Sequence, residues 1–161
     1  MAPESFGIRI PGNAPISPAE YEERLRLYYF PYRDPAVEDV LRIVRTSGSC
    51  LHLSIHSFTP RVGRTVRNTD IGLLYDPRHA DEASFARRLR PRLEAAGLRV
   101  RMNYPYKGTS DGFTTALRSR LPAKRYAALE IETNQALVRA PAGARRIGRI
   151  LAAAIAANRA G

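Results

Sequence analysis

Apolar and polar positions alternate strictly from Cys50 to His56. Leu51, Leu53 and Ile55 fall on one side of a period-two element, and His52, Ser54 and His56 on the other. A second stretch, "YAALEIET" from Tyr126 to Thr133, repeats the pattern. Ala127, Leu129 and Ile131 face one way, and Tyr126, Ala128, Glu130 and Glu132 the other. "DIGLLYD" (70–76) is a short apolar run that predicts a buried strand, and "LRVRMNY" (98–104) alternates and predicts another. Between these lie helical patterns. Ser17 caps, Pro18 suits a first helical position and Glu20 completes a capping box, so a helix is expected from there to Phe30, ending before Pro31. Asp34 and Pro35 open a second helix with an apolar stripe of Val37, Val40, Leu41 and Val44, and Gly48 closes it. Residues 81–96, closed by Gly97, predict a third, "FTTALRSRL" (113–121) a short one, and the Ala-rich tail from 142 to 157, with Ile147, Ile150, Leu151 and Ile155 on one face, the last. The lead-in of residues 1–16 is rich in Pro and Gly, and residues 57–69 and "PYKGTSDG" (105–112) read as loops. Strands alternating with helices imply a layered α/β domain.

Composition narrows the class. With 44% hydrophobic residues in 161, the chain is long and apolar enough for a core of its own. No apolar run approaches the roughly 20 residues that span a bilayer, and the N-terminus lacks a basic stretch followed by an apolar one. The single cysteine, Cys50, excludes an internal disulfide and fits a reducing compartment, so a cytoplasmic protein is expected. The net charge of +11 raises nucleic-acid binding. The arginines, however, are scattered over helix faces, no nucleic-acid motif accompanies them, and nucleic acid is not expected as a partner.

The two alternating strands carry the chemistry. Each presents ionisable groups on one face, His52 and His56 on the first strand and Glu130 and Glu132 on the second. Carboxylates in a sheet are costly to bury without a partner, which a metal, a cation or a substrate would provide. A zinc hydrolase uses His and carboxylate ligands with one open position, plus a carboxylate to take the proton of bound water. The same pattern also fits a hydrogen-bonded core histidine and a glutamate paired with an arginine. Arg64 and Arg67 follow the His56 strand, and arginine grips carboxylates in bidentate fashion. "NYPYKG" follows another strand and offers Asn103, Tyr106 and Lys107.

These stretches together resemble a known family. "HLSIHSFTP", "VRNTDIGLLYDP", "NYPYKGTSDGFTTALR" and "LEIETNQ" are similar, in that order, to the N-formylglutamate amidohydrolases. "IPGNAPIS" and "ERLRLYYFPYRDP" resemble the segment preceding the HSFTP strand in that family, so the resemblance covers about residues 7–138. It implies the fold of zinc carboxypeptidases and aspartoacylases: an α/β domain with a mixed central sheet flanked by helices and one zinc at the strand ends. It also implies hydrolysis of N-formyl-glutamate or a similar N-acyl amino acid. By the same resemblance His56 matches a histidine ligand of the zinc, Glu132 the general base, and Glu130 a weaker match on the same face. Arg67, with Arg64 and Asn103, is expected to bind the substrate, and His52 to steady the site by hydrogen bonding.

The resemblance also marks a departure. Family members place an early histidine and an acidic residue, the other zinc ligands, in a longer N-terminal part, together with an Asn-Arg pair that helps bind substrate. The chain has no histidine before His52. It is therefore expected to represent the C-terminal two thirds of the family domain, as one domain over 1–161, to hold zinc poorly and to be inactive in isolation. The rival reading is a non-catalytic remnant that binds an acidic small molecule or a partner chain through Arg64 and Arg67. The oligomeric state is not legible in the sequence.

Overall fold

A computed structural model describes residues 4–5, 8–13, 15–110 and 112–159; Asp111 of the expected 105–112 loop, and part of the lead-in, lie outside the described residues. The chain folds as two compact units, Met1–Thr46 and Ser47–Gly161.

In the first unit β1 (Glu4–Ser5) pairs antiparallel with β2 (Ile8–Arg9), and a single 3₁₀ turn follows at Pro11–Asn13. Helix α1 (Pro18–Arg24) starts as its sequence dictates: the Ser17 hydroxyl accepts from Glu20 N at 3.1 Å, and Pro18 occupies the first turn. The expected stop before Pro31 does not occur. A π-helical turn at Leu25–Tyr29 joins α1 to α2 (Phe30–Ser47), and both Pro31 and Pro35 lie inside helix. Proline in a helix lacks an N–H and presses its ring on the carbonyl four residues back. The wider turn, in which Phe30 N donates to Leu25 O, opens the coil just ahead of Pro31. Gly48, at φ +80°, ends α2 as expected.

The second unit is built on a four-stranded mixed sheet. Strands β3 (Cys50–Phe58), β6 (Ile71–Leu74), β7 (Val100–Met102) and β8 (Tyr126–Asn134) stand in the order β3-β8-β6-β7. β3 runs parallel to β8, β6 antiparallel to β8, and β7 parallel to β6. Between β3 and β6 a small hairpin, β4 (Arg61–Val62) and β5 (Thr65–Val66), occupies the stretch expected to be loop.

One face of the sheet carries the core. Ile71 and Leu73 of β6 and Leu129 and Ile131 of β8 are fully buried there with α3 (Ala80–Ala95) and α6 (Pro141–Arg159). Phe85, Ala86, Leu89 and Leu93 of α3 meet Ile147, Leu151 and Ala154 of α6, each set at helical spacing. Each large apolar side chain buried in this way contributes about 1.5–3 kcal/mol. The opposite face is polar and holds β8's Glu130 and Glu132. The short helix α4 (Phe113–Arg118) lies over part of it, with Thr114 hydrogen-bonded to Glu130. A last short helix, α5 (Gln135–Val138), is capped by Asn134, whose Oδ1 accepts from Ala136 N at 3.0 Å. No helix among the described residues is long and apolar enough to cross a membrane.

Candidate active site

The parallel register of β3 and β8 sets the site. It pairs His52 with Ala128, Ser54 with Glu130 and His56 with Glu132. Parallel neighbours in a sheet lie about 4.8 Å apart, and residues two apart on a strand share a face. His52, Ser54, His56, Glu130 and Glu132 therefore stand on one polar face, His56 and Glu132 toward the C-terminal ends of their strands, with Gly72 and Leu74 of β6 beside the two glutamates.

Each side chain has a distinct setting. His56 is exposed, and its Nε2 is 2.8 Å from Ser54 Oγ, so Nδ1 is the nitrogen left for a ligand. Glu132 is only 6% exposed, and its Oε2 is buried with no hydrogen-bond partner among the described residues. An unpaired buried carboxylate oxygen costs about 1–3 kcal/mol or more; native folds keep such groups chiefly where function uses them. Burial pushes the Glu132 carboxyl above the usual range and nearby Glu130 adds to this, against the pull of His56 and Arg67. Glu130 is half-buried and accepts a hydrogen bond from the buried Thr114 hydroxyl. His52 lies deeper along β3. Its Nδ1 is 2.9 Å from Tyr126 Oη, and its ring meets Phe113 edge-on at 5.7 Å. Burial lowers the His52 pKa; Glu130 opposes this, while Arg118 and His56 reinforce it.

The loops bring in the remaining groups. Arg67 follows the β4–β5 hairpin and is half-buried, with Nη1 3.0 Å from Tyr106 Oη and the guanidinium 5.0 Å from the ring centroid. Its effect on Glu132 puts it within electrostatic reach of the carboxylate. Arg64 is exposed at the tip of the same hairpin. Asn103 follows β7 at φ 49°, and its Oδ1 accepts from Tyr75 N at 3.1 Å and Gly108 N at 3.0 Å, so that oxygen holds the loop together. The loop folds back over the polar face because Gly72 lacks a side chain: a Cβ there would stand 1.9 Å from Tyr104 O. His52, His56, Glu130, Glu132 and Arg67 are thus gathered in one neighbourhood, whereas Arg64 stands at the exposed hairpin tip.

Sequence reasoning missed the group that underpins this face. Glu82, fully buried at the start of α3, accepts from Arg118 Nε at 2.8 Å, Ala128 N at 2.8 Å and Asp76 N at 2.9 Å. Arg118 also donates to Gly108 O at 2.7 Å. One ion pair therefore links α3, α4, β8 and the 103–112 loop. No local motif signals it, since two of its three partners are 36 and 46 residues from Glu82 in sequence.

An imidazole on one strand and an unpartnered carboxylate oxygen on its register partner suit one side of a metal site. A catalytic zinc takes about three protein ligands, and no cluster of three His, Cys, Asp or Glu stands close enough to supply them among the described residues. By themselves the described residues do not fit a catalytic zinc. What the arrangement supplies in its own right is a desolvated base, an imidazole beside it and a cation within reach.

Comparison with known proteins bears on the same residues. The family described as N-formylglutamate amidohydrolase matches residues 4–139. A search of curated proteins found no match. Among solved structures, gene product Atu2144 from Agrobacterium tumefaciens is similar at a TM-score of 0.79 and 27% sequence identity, over 99% of this chain and 62% of that one. N-formylglutamate amidohydrolase from Ralstonia eutropha JMP134 is similar at a TM-score of 0.62 and 22% identity, over 88% of this chain and 54% of that one, a likeness of fold. The chain spans less than two thirds of the length of either structure.

Proposed function

The chain belongs to the N-formylglutamate amidohydrolase family, and from that premise we propose that its polar sheet face hydrolyses the amide bond of N-formyl-glutamate or a similar N-acyl amino acid. The observation that carries the proposal is the buried, unpartnered Oε2 of Glu132 beside His56. A carboxylate with a raised pKa is a stronger base, closer to the value general base catalysis favours near neutral pH.

In the proposed reaction Glu132 takes a proton from water as the water oxygen bonds to the formyl carbon. The tetrahedral adduct then collapses, the C–N bond breaks, and Glu132 returns the proton to the leaving amine. Formate and the free amino acid result, and Glu132 ends in its starting state. Arg67 holds a substrate carboxylate and fixes the amide over Glu132. Glu130, tied to Thr114, stays beside Glu132 and opposes its ionisation. His52, bonded to Tyr126, anchors the deeper end of the face. Arg64 adds attraction for an anion from the hairpin tip, and Asn103 acts by holding the 103–108 loop in place. Zinc enters the proposal only through His56, whose imidazole would be one ligand of a set that the described residues do not complete.

The test is formate release by the chain with zinc in excess, from N-formyl-L-glutamate and from the uncharged N-butylformamide. Release that favours the acid and falls by about 100-fold or more in Glu132→Gln supports the reading. Binding of N-formyl-L-glutamate with no formate released by the unaltered chain would replace it with a second one: a non-catalytic site for an acidic small molecule. The Arg67–Tyr106 arrangement suits that reading too.

A further inference from the structure

A cavity of about 300 Å³ opens at the N-terminal ends of β3 and β8, on the side of the sheet that carries α3. That volume is at the small end of the range for small-molecule pockets. The cavity lies far from the reactive groups of the polar face. Cys50, which lines it, and His56 are six residues apart on β3, about 20 Å at the usual rise. Leu51, its register partner Ala127 and the buried Phe85 of α3 give the cavity an apolar wall. It also gathers three exposed cations. Arg88 comes from α3, and Lys124 and Arg125 from the turn before β8, while Asp81 is the one carboxylate in the lining.

The fold itself makes little use of these cations. Arg88 Nη1 donates to Ser84 Oγ at 2.7 Å, and Arg125 Nε to Gly48 O at 3.2 Å. Each bond fixes a guanidinium and leaves its other donors unpaired among the described residues. The Lys124 ammonium has no partner among the described residues, and Asp81 forms no ion pair with any of the three. By contrast, Arg78, Arg90, Arg99 and Arg118 each hold a carboxylate. Three cations around one cavity repel one another until an anion enters. Set against Asp81, they leave a formal charge of two positive, which suits a dianion. A guanidinium fork matches phosphate oxygens, and an ammonium holds them as a point charge. We propose that the cavity is a second binding site, separate from the polar face, for a phosphate monoester whose apolar group packs on Leu51 and Phe85. Such a phosphate brings about 1.5–2 negative charges and three acceptor oxygens near neutral pH, where a carboxylate brings a single charge.

Calorimetry on the full chain with phenyl phosphate, inorganic phosphate and benzoate tests this, with circular dichroism to verify that each variant is folded. Phenyl phosphate should bind with a dissociation constant below about 1 mM. It should bind more tightly than inorganic phosphate, which lacks the apolar group, and than benzoate, which lacks the second charge. Loss of an interaction with a charged group predicts about tenfold or more weaker binding in Arg88→Ala and in Lys124→Ala. Arg87→Ala removes the same charge from the same helix at an exposed position outside the cavity, and should leave binding unchanged. Saturating N-formyl-L-glutamate should leave it unchanged too. Phenyl phosphate that fails to bind, or that binds Arg88→Ala and Lys124→Ala like the unaltered chain, overturns the proposal. Equal losses in Arg87→Ala and Arg88→Ala also overturn it, since the attraction would then belong to the net charge of the whole chain. Displacement by N-formyl-L-glutamate would move the phosphate to the polar face and overturn the separate site. Benzoate binding as tightly as phenyl phosphate would overturn the assigned ligand class.

Discussion

Replacing Glu82 with glutamine should cost the fold a large part of its stability. Glu82 is fully buried, and its partner Arg118 is 11% exposed. Oε1 accepts from both Arg118 Nε and Ala128 N, and Oε2 from Asp76 N. All three partners are donors. A glutamine amide offers one oxygen and one NH₂, so whichever way it turns, its NH₂ faces a donor and at least one buried N–H loses its acceptor. The charge of Arg118 is left without its counter-ion as well. Breaking a buried ion pair from one side costs about 3–5 kcal/mol, against a total of about 5–15 kcal/mol for a typical domain. Urea unfolding at neutral pH, followed by circular dichroism, measures the difference. A loss of about 3 kcal/mol or more is expected. A loss below about 1 kcal/mol would refute the reasoning, because it would mean that the three bonds and the pair contribute no more than a surface interaction.

Two further outcomes follow from single positions. Gly72→Ala should destabilise by about 1–3 kcal/mol and displace the 103–108 loop, since its Cβ would collide with Tyr104 O; unfolding and N-formyl-L-glutamate binding measured together check this, and unchanged binding contradicts it. Burial raises the Glu132 pKa, so the folded chain holds that proton more tightly than the unfolded one, and the stability it lends is full below the unfolded value and lost as pH rises through the folded one. Glu132→Gln should therefore be more stable than the unaltered chain near neutral pH and lose the advantage as pH falls toward about 4; a variant less stable near neutral pH contradicts this.

Much of the site-bearing half was legible because sheets have a period of two. The alternation in "CLHLSIH" and "YAALEIET" put histidines and glutamates on polar faces, and the structure pairs those faces in register. The tail helix, the 81–96 helix and the buried 70–76 strand were likewise written in local spacing. What escaped depended on distant partners or on a compromise of local rules. Pro31 predicted a stop and Pro35 a fresh start, yet a widened turn just ahead of Pro31 joins the two helices and Pro35 lies inside the second. Glu82 falls in the first turn of the expected 81–96 helix, but its role lies with Arg118 and β8. Asn103 read as a binding residue in a polar loop, and the brace its oxygen gives that loop was not legible. A signal for the loop's position was present in Gly72, a glycine inside an apolar strand, which marks a close approach of another backbone.

The central claim is that His56 and Glu132 act as one unit. It is tested most directly by formate release from N-formyl-L-glutamate, with zinc in excess, for the unaltered chain, His56→Ala, Glu132→Gln and the double variant. Groups that serve one step lose function together, so the double variant should be no slower than the worse single variant. Losses that multiply, with each substitution costing the same in the presence or absence of the other, would show two independent residues and contradict the account.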